Sequence, residues 1–242
     1  MNQEKTTRPD GSYDVVIKDG VNEIASEAFS RDIRLKTVTI PRSVKKIGTW
    51  AFCDCHKLTE VTISMGVTEI GHRAFYGCIR LTKISIPMGV KIIGSWAFEG
   101  CIGLRKVTIP EGVTEIGKGA FQGCIRLEKV TIPRSVNKIS SYAFLYCKEL
   151  RELTIPEGVT EISQGAFCEC SGLRRVILPK SITIPGLTQT RLTIRNLPHI
   201  PGLGESLLVI IFGCQKHNLP RELIIIIIET LVNTNYKCLV AQ

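Results

Sequence analysis

The sequence predicts an α/β solenoid, a right-handed stack of short parallel strands with short helical or 3-10 segments between them. A phenylalanine recurs seven times at an interval of 23 residues, without insertion or deletion, and an alanine precedes it each time. A leucine follows six positions after each phenylalanine, and alternating β-branched residues come next. A fixed period in this range is typical of solenoids, whose strand–crossover–strand units are right-handed. The phenylalanines are Phe29, Phe52, Phe75, Phe98, Phe121, Phe144 and Phe167.

Each unit contains one predicted strand. In Leu58-x-x-Val61-x-Ile63 the apolar residues alternate at the end of the segment, which indicates a short strand with one buried face. A proline usually follows and ends the strand, because it lacks the N–H that would continue the hydrogen-bond ladder. The prolines are Pro41, Pro87, Pro110, Pro133, Pro156 and Pro179.

A turn and a predicted short helix complete the unit. Glycines such as Gly89 and Gly112 follow the proline, and glycine tolerates the positive φ of tight turns. Ile70, Ala74 and Cys78 lie four residues apart and would share one helix face. One coil cannot bury this apolar set, so we expect successive coils to cover one another.

Cysteine occupies the third position after the phenylalanine in six of the seven units. We expect these side chains to be buried thiols, because a stacked column gives each sulfur two equivalent neighbours and no unique disulfide partner. The Cys-x-Cys pairs at Cys53 and Cys55 and at Cys168 and Cys170 do not have the spacing of zinc sites and are five coils apart. We therefore predict no metal site.

The columns define four regions. Residues 1–12 are predicted to be a disordered lead-in, and residues 13–184 a solenoid of a partial N-terminal coil plus seven Phe-centred units. Residues 185–204 read as a Pro/Gly linker or irregular cap, and residues 205–242 as a C-terminal helical appendage. Its predicted helix, Leu223 to Val232, is apolar all round and would cover the open end of the stack.

The unit Pro-x-x-Val-x-x-Ile-Gly-x-x-Ala-Phe-x-x-Cys-x-x-Leu-x-x-Val-x-Ile resembles the BspA-type (Treponema pallidum type) leucine-rich repeat. The resemblance covers roughly residues 13–184. It implies a leucine-rich-repeat stack that binds other molecules. Members of that family occur as surface adhesins of bacteria and parasitic protists and as intracellular proteins of protists, so the resemblance implies no compartment.

Two columns contain candidate binding residues. Lys83, Lys106 and Lys129 occupy one outward position of three consecutive predicted strands, with Arg105 beside Lys106. Aligned like charges repel each other, so an acidic partner would relieve an unfavourable interaction. Aromatic residues alternate with small or charged ones in the position before the alanine. They are favoured interface anchors, although each ring could instead pack on the neighbouring coil. These residues are Trp50, Trp96 and Tyr142.

No catalytic constellation or phosphate-binding loop stands in the sequence, and we predict neither enzymatic activity nor a cofactor. The favoured function is a non-catalytic protein–protein interaction module that presents a concave strand face to a protein partner. One alternative is a nucleic-acid or anionic-surface binder, suggested by a net charge of +9, but the sequence shows no aromatic stacking sites interleaved with Arg and Lys along one groove. A second alternative is an adaptor for ubiquitin ligation, because Leu219-Pro220-Arg221-Glu222-Leu223 is similar to the opening of an F-box.

The first ten residues are polar and lack the apolar core of a signal peptide. No apolar run reaches the ~18–20 residues that span a bilayer. We therefore predict a cytoplasmic monomer without a transmembrane segment, with surface exposure or unconventional export as the open alternatives.

Overall fold

The structure, a computed structural model, describes residues 2–178 and 226–228. The chain winds into a solenoid in which each 23-residue unit supplies one longer strand and one two-residue strand. The strands of the described part are β1 (Gln3–Thr7), β2 (Tyr13–Ile17), β3 (Glu23–Ile24), β4 (Leu35–Ile40), β5 (Lys46–Ile47), β6 (Glu60–Ile63), β7 (Glu69–Ile70), β8 (Lys83–Ser85), β9 (Ile92–Ile93), β10 (Lys106–Thr108), β11 (Glu115–Ile116), β12 (Lys129–Thr131), β13 (Lys138–Ile139), β14 (Glu152–Thr154), β15 (Glu161–Ile162), β16 (Arg175–Leu178) and β17 (Ile226–Ile228).

The strands form two kinds of parallel sheet along the stack. The two-residue strands make one uninterrupted sheet from β3 to β15, which we call the short-strand sheet. The longer strands make two five-stranded sheets, β1-β2-β4-β6-β8 and β10-β12-β14-β16-β17, which together present the long-strand face. Equivalent residues of neighbouring coils are register partners, as Val38 is with Val61 and Lys106 with Lys129. The predicted columns and the stack of parallel strands are therefore confirmed.

The core lies between the sheets and consists of columns of identical or similar side chains. Each phenylalanine ring stacks on the next, with centroids 5.1–5.4 Å apart and ring planes within 7° of parallel. The rings from Phe52 to Phe144 are fully buried. Truncating one such ring to alanine removes its transfer free energy and leaves a cavity, at a cost of ~3–5 kcal/mol.

The segment around each alanine–phenylalanine pair is a series of turns and not the predicted helix. Within residues 2–178 and 226–228 the structure contains no helix, and hence none long and apolar enough to cross a membrane. The residue before the alanine and the second residue after the phenylalanine have positive φ, for example Trp50 at 60° and Asp54 at 55°. A left-handed residue every four positions prevents an α-helix. The fold is therefore a β-solenoid, and the predicted α/β class is wrong.

Hydrogen bonds between coils replace those that a helix would have made. The backbone N–H of Phe52 donates to the carbonyl of Ala74 in the next coil at 2.7 Å, and the N–H of Trp50 donates to the carbonyl of His72 at 2.9 Å. The same bonds recur along the stack. Backbone donors that a helix would have satisfied internally thus join successive coils.

The N-terminal residues are ordered, which corrects the predicted disordered lead-in. Strand β1 pairs antiparallel with β2 over five residue pairs and is largely exposed and polar. Arg8 fixes the loop that follows, because its guanidinium Nε lies 2.8 Å from Asp14 Oδ2. Strand β1 therefore covers the N-terminal edge of the long-strand sheets with polar side chains, an arrangement that limits edge-to-edge association.

The C-terminal isoleucine run differs from its prediction as well. Ile226–Ile228 form β17, which extends the sheet by pairing parallel with β16, so a helix over Leu223 to Val232 is wrong at these three residues. Isoleucine favours strands because its β-branched side chain packs well on a pleated surface. The predicted linker at 185–204, the F-box-like residues 219–223 and the rest of the predicted appendage lie outside the described residues.

Candidate partner-binding surfaces

The lysine stripe, which we define as Lys83, Lys106 and Lys129, starts three consecutive strands of the long-strand face. All three side chains are exposed. Lys106 and Lys129 are register partners, and parallel strands lie ~4.8 Å apart, so these two positive charges are close neighbours. A carboxylate stands at each end of the stripe. Glu60 Oε2 lies 3.6 Å from Lys83 Nζ at one end, and Glu152 is the register partner of Lys129 at the other.

Arg105 is the fourth basic residue predicted at this surface. It precedes β10, and its guanidinium pairs with the carboxylate of Glu128 in the next coil. An exposed arginine–carboxylate pair contributes little to stability but offsets the local charge. Lys106 and Lys129 consequently supply most of the unpaired positive charge at this part of the face.

The long-strand face is interrupted between β8 and β10, which belong to separate sheets. A cavity of about 300 Å³ lies over β6 and β8 and reaches Lys106 at the start of β10. The inward-facing Ile84 is only partly buried, whereas Val61 and Val107 in the same column are buried. Lys83 and Lys106 begin the two strands that separate, but like charge does not explain the break, because Lys106 and Lys129 oppose each other across the intact β10–β12 pair. The cavity is lined by Glu60, Val61, Thr62, Thr82, Lys83, Ile84, Ser85 and Lys106.

The tryptophans lie on a different side of the coil, in the turn segment between the short-strand and long-strand sheets. Arg73 lies between Trp50 and Trp96, with its guanidinium carbon 4.7 Å and 5.2 Å from the two ring centroids. The Trp96 ring also covers Gly119, where an added Cβ would come within 2.4 Å of Cδ1. The cation–π contacts of Arg73 with the two tryptophans stabilise the turn segment. Tyr142 covers Gly165 in the same manner but stays 40% exposed.

Two titratable groups next to Arg73 have shifted pKa values. Burial raises the pKa of the Glu99 carboxyl, and the positive charge of Arg73 opposes part of that rise. Gln122 Nε2 donates a hydrogen bond to Glu99 Oε1 at 2.8 Å. Burial lowers the pKa of His72, as does Arg73, so at neutral pH His72 is uncharged and lies edge-on to the ring of Trp96. These groups form a packed network around Arg73.

Sequence profiles of known families identify the repeat. The profile of the BspA type leucine rich repeat region matches residues 12–99 and 68–187, with six copies of the repeat. The chain belongs to the BspA-type leucine-rich repeat family. No curated protein sequence matches it significantly.

Solved structures of other BspA-type and leucine-rich repeat proteins resemble this one. A leucine rich cell surface protein from Faecalibacterium prausnitzii is 27% identical with a TM-score of 0.53, and the match covers 76% of this chain and 70% of that one. The leucine-rich repeat protein of T. pallidum is 28% identical with a TM-score of 0.49, over 72% of this chain and 78% of that one.

The cysteine column of this BspA-type repeat consists of thiols, as predicted from the sequence. Each column sulfur donates to the carbonyl of the phenylalanine in the preceding coil, as Cys78 Sγ does to Phe52 at 3.1 Å. Burial raises the pKa of Cys55 to about 12 and that of Cys53, outside the column, to about 11. These thiols are thus weak nucleophiles. Nowhere in residues 2–178 or 226–228 do three or more potential metal ligands cluster.

One outward apolar column of the BspA-type repeat was missed by sequence reasoning. Ile79, Ile102 and Ile125 are 41%, 37% and 37% exposed and occupy the same position in three consecutive coils. We call them the isoleucine ladder. His56 and Lys148 occupy this position in the flanking coils, and that polarity was the signal that the column faces solvent.

Proposed function

We propose that the protein is a non-catalytic protein-interaction module that presents its long-strand face to a partner with an acidic surface. Family membership supports a non-catalytic interaction module, because leucine-rich repeat proteins are generally non-catalytic and the repeat is typical of protein-interaction modules. The lysine stripe supports the choice of the long-strand face and of an acidic partner. Three exposed lysines on consecutive strands, with a cavity between the first two, make a positive surface that the stacking of coils does not require.

The charge of the stripe determines how the partner would bind. Charges at the solvent-exposed periphery of an interface mainly raise the association rate and select the partner. Dissolved salt screens their effect over a Debye length of ~8 Å at physiological ionic strength. We expect the partner to place carboxylates over Lys106 and Lys129, whose charges are not offset as that of Lys83 is by Glu60. Binding should weaken as salt rises.

We also propose the turn-side aromatic residues Trp50, Trp96 and Tyr142 as a second contact surface. Tyr142 supports this most directly, because its side chain is well exposed, as is that of Tyr146 four residues further along the chain. The two tryptophans contribute only their outer edges, since Arg73 occupies the space between their rings.

Affinity capture with the full chain, followed by mass spectrometry at physiological salt, tests both surfaces. We expect Lys106→Glu to lose partners that wild type retains, and Trp96→Ala to lose fewer. Lys91→Glu is the matched control, because Lys91 is also exposed but lies next to β9 on the short-strand sheet. A partner set that is unchanged by Lys106→Glu and Trp96→Ala would show that neither surface binds.

The two other sequence-based functions gain no support. The F-box-like residues lie outside the described part of the chain, and the isoleucines that follow them form β17. Glu60 and Glu152 flank the lysine stripe and Glu128 pairs with Arg105, so carboxylates interrupt the basic surface, which disfavours a polyanionic duplex. Binding to random-sequence DNA that falls steeply between low and moderate salt would contradict this assignment.

A further inference from the structure

We propose that the isoleucine ladder and the lysine stripe form one docking surface, and that its occupant is an acidic protein segment with apolar side chains. This inference rests on the proposed function and names the chemistry of the partner. Each isoleucine of the ladder precedes a lysine of the stripe by four residues in the same coil. The pairs are Ile79 with Lys83, Ile102 with Lys106, and Ile125 with Lys129.

The two columns lie on the same edge of the solenoid. In each coil three residues separate them, and the middle one is a buried leucine (Leu81, Leu104 or Leu127). The chain from isoleucine to lysine therefore spans at most about 14 Å. Four of the six residues that flank these leucines are exposed, namely Arg80, Thr82, Arg105 and Arg126. An apolar strip and a positive strip therefore run side by side along the stack.

The isoleucine ladder, like the lysine stripe, ends where the residue type in its column changes. Its column holds the polar residues His56 and Lys148 in the flanking coils, and both are exposed. Three aligned, exposed isoleucines are unfavourable in water, so a partner that covers them gains apolar burial. The cavity over β6 and β8 is lined by the partly buried Ile84 together with Lys83 and Lys106, so it adds apolar surface next to the stripe.

The dimensions favour a short extended segment. From the first to the third of these coils is ~10 Å, because parallel strands repeat every ~4.8 Å. An extended chain covers that distance in about three residues, and its successive side chains point to opposite sides. A segment that alternates acidic and apolar residues would thus direct carboxylates to the lysines and apolar side chains to the isoleucines.

A protein segment fits this surface better than an anionic membrane, the other partner of a basic and apolar patch. Glu60 and Glu152 border the stripe, and Glu128 lies within the patch beside Arg105. A uniformly negative lipid surface would meet these carboxylates together with the lysines, whereas a peptide can place its own charges only where lysines stand.

Selection of a displayed library of random peptides of about 15 residues against the full chain tests the proposal, since short segments are sufficient for pocket-and-strand recognition. We expect enrichment of peptides that alternate Asp or Glu with large apolar residues. Fluorescence polarisation with enriched peptides should show binding at least about tenfold weaker for the double variant Ile102→Ser/Ile125→Ser and for Lys106→Glu/Lys129→Glu.

Met65→Ser/Met88→Ser is the matched control, because these methionines are 79% and 72% exposed in adjacent coils but lie in the turns after the long strands. It should leave peptide binding unchanged. Circular dichroism of each variant verifies that the coils remain folded.

The outcomes separate the two proposals. Acidic peptides that respond to the lysine variant but not to the isoleucine variant would overturn the shared surface and leave the proposed function standing. Enriched peptides that respond to neither would contradict both. Failure to enrich any acidic–apolar peptide would overturn this inference alone, and affinity capture of folded partners would still test the function. Vesicles containing phosphatidylserine that bind with the same isoleucine dependence would replace the protein segment with a membrane.

Discussion

The buried thiols make the stability of this protein sensitive to alkaline pH. Burial raises the pKa of Cys55 to about 12 and raises that of Cys101 as well, whereas an unfolded chain titrates near the ordinary value of 9.0. Below pH 9 both states keep the proton and the thiols do not affect the pH dependence. Above it the unfolded state releases protons that the folded state retains, so stability falls by about 1.4 kcal/mol per pH unit for each thiol.

Urea unfolding of wild type and Cys101→Ala at pH 8 and pH 10 measures this effect. The wild-type free energy of unfolding should fall more steeply with pH, by the contribution of one proton, than that of the variant. Alanine fits this column because it is smaller than cysteine and equally apolar, and other titrating groups are the same in both proteins. If the free energy of unfolding changed equally with pH in wild type and variant, the Cys101 thiol would have the same pKa in the folded and the unfolded protein.

Residue-level prediction from the sequence succeeded for side chains that face the core. The phenylalanines, the leucines and the cysteine column follow from the fixed period, because burial imposes the same residue type on every coil. It failed for Ile79 and its equivalents, since an isoleucine in a repeat looks like a core residue until the polar side chains of flanking coils are compared. The contact of Arg73 with two tryptophans also depends on distances that a sequence does not give.

At the level of elements, the turn segment depends on left-handed residues. Gly100 has a φ of 71°, and a Cβ there would approach only the backbone of Gly77 at an ordinary distance of 3.7 Å. Gly100→Ala should therefore cost about 1–2 kcal/mol of unfolding free energy, almost all of it conformational. Gly100→Asn should cost less, because asparagine tolerates this region.

Thermal and urea unfolding of the two variants test this ranking. An alanine variant as stable as wild type would mean that the position is not left-handed in solution. Equal losses for alanine and asparagine would instead point to crowding against the neighbouring coil.

The predicted helix was wrong for a reason that is visible in the sequence. Ile70, Ala74 and Cys78 have helical spacing, but the positions around Ala-Phe also hold glycine in several coils, at Gly77, Gly100, Gly119, Gly123 and Gly165. Each of these glycines has positive φ. Apolar spacing alone does not distinguish a helix from a turn whose N–H groups bond to the next coil. The run at Ile226–Ile228 posed the same ambiguity and became a strand.

For the whole molecule, we expect the N-terminal strand of the stack to limit self-association. Strand β1 covers β2 with an antiparallel, polar strand. Deleting residues 2–7 should expose the backbone edge of β2 and promote self-association, because unpaired edges pair with other chains. Light scattering after size exclusion should show dimers or larger species that increase with concentration.

A matched variant keeps the chain length and changes only the exposed side chains of β1, for example Glu4→Ser/Lys5→Ser. It should remain in the wild-type state, since the backbone pairing is intact. A truncated protein that elutes with the wild-type mass at every concentration would show that β1 does not protect the edge.

The break between β8 and β10 divides the solenoid mechanically while the short-strand sheet holds the two blocks together. We expect the solenoid to bend more easily at that point than elsewhere, because only one of its two faces is hydrogen-bonded across it. Such bending would change the spacing between Lys83 and Lys106 and leave the coils on either side as they are. The proposed binding surface would then adjust its width to an acidic segment at the point where the strand ladder is interrupted.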